Sequence, residues 1–510
     1  MLMTAALRDA ARTRANALAI VCGDERRSWL DTQRRVAAIA GALRASGIGP
    51  GDAVATLAMN GSRYFETLLA IWWAGAVVVP LNTRLTLDEL RHIVEHSQAR
   101  ALLTDETFAT TGAALRGSLP QLELVAMLDD AYYGELTSHT QIDDASAGAD
   151  ELAGIFYTGG TTGLPKGVEL THRNFAVSAR NMQRELLHDE STIYLHASPL
   201  FHLADLSIGL GVMLGVGGHS FIGQFTPALF YERLRCDGVT HLQLVPTMLA
   251  AVLDAPQRDD RLLAQIRSIS YGAAPVSQPL LARLLDAFPN ARIQQFYGLT
   301  EVCGACVILR AERHVLSGPL AGKLLAAGET IDGFEVRIAD VDQLPCATGE
   351  AGEVQMRGAA VMRGYWREPD KTRDAFADGW LRSGDIGRID EDGFLYVVDR
   401  LKDMIISGGE NIYCAEVENA ICRHPAVLAC AVFGVPDTYW GERVHAVIVP
   451  REGVSIDVDQ INALCRQQIA GYKVPRSYEI RNSGLPLSGV GKVQKNLLRA
   501  EWLAAHGDTQ

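Results

Sequence analysis

Residues 158–167 read TGGTTGLPKG. Glycines let a backbone take positive φ and bring N–H groups close to a ligand. Successive N–H groups in such a turn form a concavity for anions. Here Gly160 and Gly163 open the backbone, Thr158, Thr161 and Thr162 add hydroxyl donors, and Lys166 adds a mobile positive charge. Those residue types together suit a clamp on a polyphosphate. The loop is not a Walker A motif, which requires G-x-x-x-x-G-K-[ST]. Pro165 precedes the lysine and Gly167 follows it, so no hydroxyl stands ready for a metal ion. A plain flexible hairpin is the competing reading of the same ten residues.

Such a loop has to be held by regular elements. It follows a short apolar strand, AGIFY (153–157), and VELT separates it from a helix beginning near Thr171, with Phe175, Ala179, Met182 and Leu186 on one face. Upstream, VATLAMN (54–60) leads to a helical stretch around RYFETLLAIWWAG, then to VVVPL (77–81), LTLDELRHIVEHS (85–97) and ARALLTD (99–105). Strands alternating with helical patterns predict an α/β architecture with largely parallel sheets. Residues 106–150 read as a polar, irregular surface excursion. The character changes near residue 400, where GFLYVVDRLKDMIISGGENIY (393–413) passes from a strand through a charged turn into a Gly-Gly loop. A helix, two strands and a further helix follow, a compact α+β unit of about 100 residues. The expected organisation is a large N-terminal domain of layered sheets and helices, 1–400, and a small mobile α+β domain, 401–510, divided at the DRLKD turn.

The whole-chain properties bound the function. At 510 residues the chain exceeds one ordinary core. A net charge of −13 argues against general attraction to nucleic acid or an anionic membrane, so an anionic ligand needs a local basic cluster. The first twenty residues carry charges throughout and lack a signal peptide's apolar centre. Nine cysteines, an odd and scattered set, suit reduced thiols in the cytoplasm. Cys303 and Cys306 form a lone CxxC, and with no second pair beside it a zinc or redox site is not the expected role. The apolar run 68–81 is too short to span a bilayer, and the run 206–223 is glycine-rich without basic flanks, so both are expected in a protein core.

The loop YTGGTTGLPKG is similar to the phosphate-loop signature of the adenylate-forming superfamily, which includes acyl- and aryl-CoA synthetases, nonribosomal-peptide adenylation domains and firefly luciferase. Further resembling segments follow in order: YGAAPVS (271–277), QFYGLTE (295–301), WLRSGDIGRIDEDGFLYVVDRLKDMIISGGENIY (380–413) and GKVQK (491–495). The resemblance covers nearly the whole chain. One departure is Gly159, where the family usually has serine; the backbone donor stays and one hydroxyl is lost. The resemblance implies a two-step reaction. A carboxylic acid attacks the α-phosphate of ATP, giving acyl-adenylate and pyrophosphate, and a thiol, coenzyme A, then displaces AMP. Bringing carboxylate to phosphate calls for Mg²⁺ and fixed cations.

Residue by residue, the resemblance makes Glu301 the magnesium ligand, since Mg²⁺ takes only one or two carboxylates beside phosphate oxygens. It places Thr300 at the α-phosphate, Asp385 at the ribose hydroxyls, and Arg400 at phosphate and ribose. Gly272, Ala273 and Ala274 form a flat wall for adenine, with Phe296, Tyr297 and Gly298 beside them. Lys402 matches the hinge. Lys492 matches the lysine that reaches the carboxylate and α-phosphate in the first step, a compact ammonium suited to charge that builds in a transition state. For the second step, Ser407, Gly408 and Gly409 would line a pantetheine tunnel, Trp440 would pack on coenzyme A, and Lys473 and Arg476 would meet its phosphates. Plain surface or core roles are the alternative for this last group.

SPLFHLADLSIGLG (198–211) resembles the family segment lining the acyl pocket, with His202 at its mouth. Leu203, Leu206, Ile208, Phe296, Val302 and Gly304 suggest apolar walls, and these segments hold no arginine or lysine for a second carboxylate. A fatty or aryl acid is expected. Asp205 is expected to cap a helix or pair with His202, a contact to a substrate amine being the lesser reading. The alternatives are a ligase loading a carrier protein in trans and a non-enzymatic nucleotide-binding homologue. The oligomeric state is left open, with a homodimer among the options.

Overall fold

The computed structural model describes residues 2–158, 165–272, 276, 278–318, 320–400, 403–407, 410–487 and 493–506. Among these, four sheets carry the strands. In the first, Leu18–Cys22, Gly218–Phe221, Ile193–His196, His241–Leu244, Ser268–Gly272 and Arg292–Tyr297 run parallel, flanked by antiparallel strands at both ends. The second has a parallel centre, Leu152–Thr158, Val77–Pro80, Ala53–Leu57, Ala101–Thr104 and Leu124–Met127, and two antiparallel strands, Lys166–Thr171 and Gly364–Tyr365, at one end. Its central strands Ala53–Leu57, Val77–Pro80 and Ala101–Thr104 are apolar and buried, as strands covered on both faces must be.

The third sheet is antiparallel, built on Gly352–Gly358 and Trp380–Ile389, with Leu395–Arg400 paired to the latter. The fourth holds Ile405–Ser407, Glu410–Ile412, Val427–Asp437, Gly441–Pro450 and Ser477–Ile480, packed by the helices Cys414–Cys422, Val458–Gln468 and Lys495–His506. The fold is therefore mixed α/β, with a large N-terminal domain and a small C-terminal one.

Helix ends follow the local sequence. Thr86 and Glu89 cap each other's backbone N–H at Leu87–His96, and Thr171 and Asn174 do the same at His172–Glu185. The run 206–223 divides into the helix Leu203–Leu214 and the strand Gly218–Phe221, both buried. That helix sits close against its neighbours because it is small there. A Cβ on Gly209 would come within 2.5 Å of the His196 ring, and one on Gly211 within 2.9 Å of the Ala179 carbonyl. No described helix is long and apolar enough to cross a membrane.

One expectation fails. Residues 106–150 are not an irregular excursion. They form the helix Ala109–Ser118, the strand Leu124–Met127 at the edge of the second sheet and the helix Asp130–Thr137. Leu115, Leu119, Leu122, Tyr133 and Leu136 are buried and tie the segment down. The apolar residues are too sparse to dominate a polar stretch, yet enough to dock each element once a sheet edge is present.

Candidate active site

The phosphate-type loop is held by a hairpin. Leu152–Thr158 and Lys166–Thr171 pair antiparallel with Thr158 opposite Lys166, which brings the two ends of the loop together. On the other side of Lys166–Thr171 lies Gly364–Tyr365, with Tyr365 opposite Val168. Gly167 is small because a Cβ there would lie 2.7 Å from the Ile155 side chain and 3.0 Å from the Tyr157 ring. The Lys166 ammonium rests 4.5 Å from the centre of the Tyr365 ring.

The 295–301 segment leaves the first sheet at its edge. Gly272 lies opposite Phe296 in the parallel ladder, where a Cβ would be 2.5 Å from the Phe296 carbonyl oxygen. At Gly298 a Cβ would be 2.0 Å from the Gly304 carbonyl oxygen, so the backbone itself demands glycine. The chain then makes a 3₁₀ turn, Thr300–Val302, and reverses through Cys303 and Gly304, both at positive φ.

Two carboxylates meet this segment. The Tyr297 hydroxyl donates to Asp385 at 2.7 Å. Burial, reinforced by the Asp385 charge, holds the Tyr297 phenol well above its usual pKa, so it stays a donor. Asp385 is buried in the strand Trp380–Ile389, directly opposite Arg400 in the antiparallel ladder. Glu301 accepts from the Tyr365 hydroxyl at 2.9 Å, and its carbonyl accepts from the Met362 N–H at 2.7 Å. Lys166, Tyr297 and the Asp385–Arg400 pair thus come from three different sheets, with Glu301 in the turn just beyond Tyr297.

On the apolar side, His202 is the residue before the first turn of Leu203–Leu214. Leu203, Leu206, Ile208 and Val302 are buried, and Phe296 is half-buried. Gly304 abuts the helix: a Cβ would be 3.0 Å from the Ser207 hydroxyl. Asp205 corrects the sequence reading. Fully buried, it neither caps the helix with its side chain nor pairs with His202. It accepts from the Tyr194 hydroxyl at 2.8 Å and from His196 Nδ1 at 2.5 Å. Its carboxylate is directed at the strand Ile193–His196 of the first sheet. His196 Nε2 lies 3.0 Å from His219 Nδ1, completing a buried polar chain.

In the small domain, Ser407 stands opposite Gly441, beside Trp440, and the Arg476 guanidinium lies 4.5 Å from a Trp440 ring centre. Those three are brought together. Lys473 is paired with Glu416, donating to both carboxylate oxygens at 2.8 and 2.7 Å. Gly160, Thr161, Thr162, Gly163, Ala273, Ala274, Lys402, Gly408, Gly409 and Lys492 lie outside the described residues. Cys303 and Cys306 are buried, burial pushes both thiols up, and Cys306 Sγ sits 3.5 Å from Met356 Sδ, the setting of core thiols. The residue that sequence reasoning passed over is Tyr365. MRGYWREP looks like ordinary strand sequence, and nothing local ties it to Glu301, 64 positions away.

A chain with this loop sequence, and with two carboxylates that each accept from a tyrosine, belongs to the AMP-binding enzyme family. The family's main domain matches residues 7–366 and its C-terminal domain 416–492. The chain is 40% identical over 497 residues to a feruloyl-CoA synthase of Amycolatopsis sp, covering 96% of each. It is 33% identical to the fatty acid–[acyl-carrier-protein] ligase ScoC of Streptomyces coeruleorubidus, over 94% of this chain and 92% of that one. Among solved structures, the o-succinylbenzoate CoA synthetase MenE of Bacillus subtilis, in complex with its acyl-adenylate intermediate, superposes with a TM-score of 0.85. It is 30% identical and covers 97% of both chains.

Proposed function

We propose that this protein is an AMP-forming acid–thiol ligase that activates an aryl or fatty acid with ATP and passes the acyl group to coenzyme A. The observation that carries the reading is the link from Lys166 to Glu301 through Tyr365, with Tyr297, four residues before Glu301, donating to Asp385. The 40% identity to a feruloyl-CoA synthase supports it and favours a hydroxycinnamate-like acid.

In this reading Lys166 and the loop before it hold the β- and γ-phosphates of ATP, Asp385 accepts the ribose hydroxyls, and Arg400, opposite it in the ladder, meets the α-phosphate. Among the described residues no cluster of three or more His, Cys, Asp or Glu is placed to cage a resident metal. Glu301 offers a single carboxylate, which fits Mg²⁺ arriving on the nucleotide and sharing phosphate oxygens. That ion offsets phosphate charge. Thr300 donates to the α-phosphate. The acid's carboxylate oxygen bonds to the α-phosphorus as the bond to pyrophosphate breaks, and Lys492 offsets the charge that builds. The thiolate sulfur of coenzyme A then attacks the acyl carbon and AMP leaves with its oxygen.

The acid enters past His202, with Leu203, Leu206, Val302 and Gly304 as its walls. Ser407, Gly408 and Gly409 line the thiol's path, and Trp440 and Arg476 form one platform at its mouth. Lys473 joins that platform only by leaving Glu416. The small domain, from residue 401, turns about Lys402 between the two steps. A reducing cytoplasm suits its nine free thiols.

The test is pyrophosphate release over a panel from acetate to palmitate, with benzoate, ferulate and coumarate, with and without coenzyme A. Acid-dependent release with coenzyme A-dependent AMP formation supports the reading. The resemblance to ScoC favours one alternative, transfer to a carrier protein, which would show as pyrophosphate release that coenzyme A leaves unchanged.

A further inference from the structure

The Glu301 carboxylate makes one hydrogen bond among the described residues, to Tyr365, and the Lys166 ammonium makes one close contact, with the same ring. Neither forms an ion pair with the other, although opposite charges this close to one side chain would attract strongly in a half-buried setting. Tyr365 is itself fixed. Its N–H donates to the Thr372 hydroxyl at 2.9 Å, it stands in register with Val168, and Trp366 beside it is anchored by its indole N–H to the His96 carbonyl at 3.1 Å. Only about 8% of Tyr365 is exposed.

We infer that Tyr365 is a positioning residue that keeps Glu301 and Lys166 apart and aims each at the nucleotide. Its hydroxyl fixes one Glu301 oxygen and leaves the other for the ion that travels with ATP. Its ring face gives the Lys166 ammonium a resting place that is weaker than a salt bridge, so the lysine leaves it for a phosphate. Without the ring the two charges would close on each other, and both would be neutralised in the empty site.

The inference rests on the proposed roles of Glu301 and Lys166, and the two can fail separately. The experiment is calorimetric titration of the full-length enzyme with ATP, with and without Mg²⁺, on wild type, Tyr365→Phe and Tyr365→Leu, with thermal melts to confirm folding. Tyr365→Phe keeps the ring and loses the hydroxyl. Its affinity for ATP alone should stay within twofold, while the gain that Mg²⁺ confers falls about tenfold, or about 1.4 kcal/mol. Tyr365→Leu frees the two charges to pair, so ATP alone should also bind at least fivefold more weakly. Tyr365→Leu/Glu301→Gln, with no carboxylate to capture Lys166, should recover most of that loss. A purely structural tyrosine would weaken both conditions equally in every variant and show no recovery. If wild type gains nothing from Mg²⁺, the Glu301 role is wrong and this inference goes with it. If wild type shows the gain and Tyr365→Phe keeps it whole, the inference alone is overturned.

Discussion

The buried chain Tyr194–Asp205–His196–His219 makes a sharp prediction for Asp205→Asn. Asp205 accepts from both Tyr194 and His196, so His196 carries its proton on Nδ1 and presents a lone pair at Nε2. His219 Nδ1, 3.0 Å away, must then be the donor, and His219 Nε2 is a lone pair, buried without a hydrogen-bond partner near the rings of Trp29 and Phe65. Burial, and His196 beside it, hold His219 well below its usual pKa, consistent with a neutral ring. Asparagine has nearly the same shape but one acceptor and one donor. If its oxygen faces Tyr194, its amide faces His196 and reverses both imidazole tautomers, so His219 ends with an unmet N–H. If it turns round, the Tyr194 hydroxyl has no acceptor. Either way one buried donor is unsatisfied, at a cost of about 1–3 kcal/mol, with the charge-assisted bond to His196 also lost. Asp205→Asn should therefore cost about 2–3 kcal/mol. Urea denaturation of wild type and variant measures it, read on the large domain's transition because two domains need not unfold together. A cycle with His219→Phe tests the relay, since a phenyl face tolerates the reversed His196 N–H and the two changes should couple by more than about 0.5 kcal/mol. A loss under about 0.5 kcal/mol, or strict additivity, would refute the tautomer argument.

Other consequences follow from the same geometry. Burial lowers His241 and His314 to about 4, against 6.5 when unfolded. The unfolded chain therefore binds the extra protons first, and stability present above pH 6.5 is lost as pH falls toward 4, by up to about 3 kcal/mol per histidine. His314→Gln should flatten that slope in denaturation curves between pH 7 and 5, and a wild type that gains stability in acid would contradict the sign. In the small domain Lys495 is charged despite its burial, because the Glu418 carboxylate at 2.8 Å outweighs the loss of water. Glu418→Gln, which strands that charge, should cost about 3–5 kcal/mol in the small domain's unfolding, and the apolar pair Glu418→Leu/Lys495→Met less than the single change. Lys492→Ala should abolish acyl-adenylate formation and spare coenzyme A capture of a supplied adenylate, with Gly409→Leu doing the reverse. Equal loss of both half-reactions in each variant, measured by pyrophosphate and AMP release, would end the division of labour.

What was legible in the sequence was legible for backbone reasons. Gly272 and Gly298 were picked out by the resemblance, and the structure supplies a backbone reason for each: a Cβ would lie 2.5 Å and 2.0 Å from a carbonyl oxygen of a ladder partner or a neighbouring turn. The strand before the glycine-rich loop was legible as the apolar run AGIFY, whereas the hairpin that Lys166–Thr171 completes stood only as the competing reading. Asp205 was misread for the opposite reason. Local reasoning looks three or four residues along a helix for a partner. The first turn of Leu203–Leu214 instead aims its carboxylate across the layer, at a strand that ended nine residues earlier. Residues 109–137 were misread similarly, since an edge strand of four residues takes its identity from the sheet it joins.

The same distinction explains how the site is assembled. Lys166 and Tyr365 belong to the second sheet, Glu301 follows the first, and Asp385 and Arg400 belong to the third. Lys166, Tyr365 and Arg400 lie at strand ends and Glu301 just beyond one, whereas Asp385 lies inside Trp380–Ile389. The distances between groups depend on how three sheets pack, and that is settled by buried faces such as Ile155, Phe156, Val302 and Met356 rather than by the motifs. Tyr365 and Tyr297 link those two levels. Each stands on one sheet and donates to a carboxylate on or beyond another, over 64 and 88 residues of sequence. A change in sheet packing is thereby felt as a displaced carboxylate. Substitutions at such joining tyrosines should alter nucleotide handling more than stability, whereas substitutions at Met356 or Val302 should do the reverse.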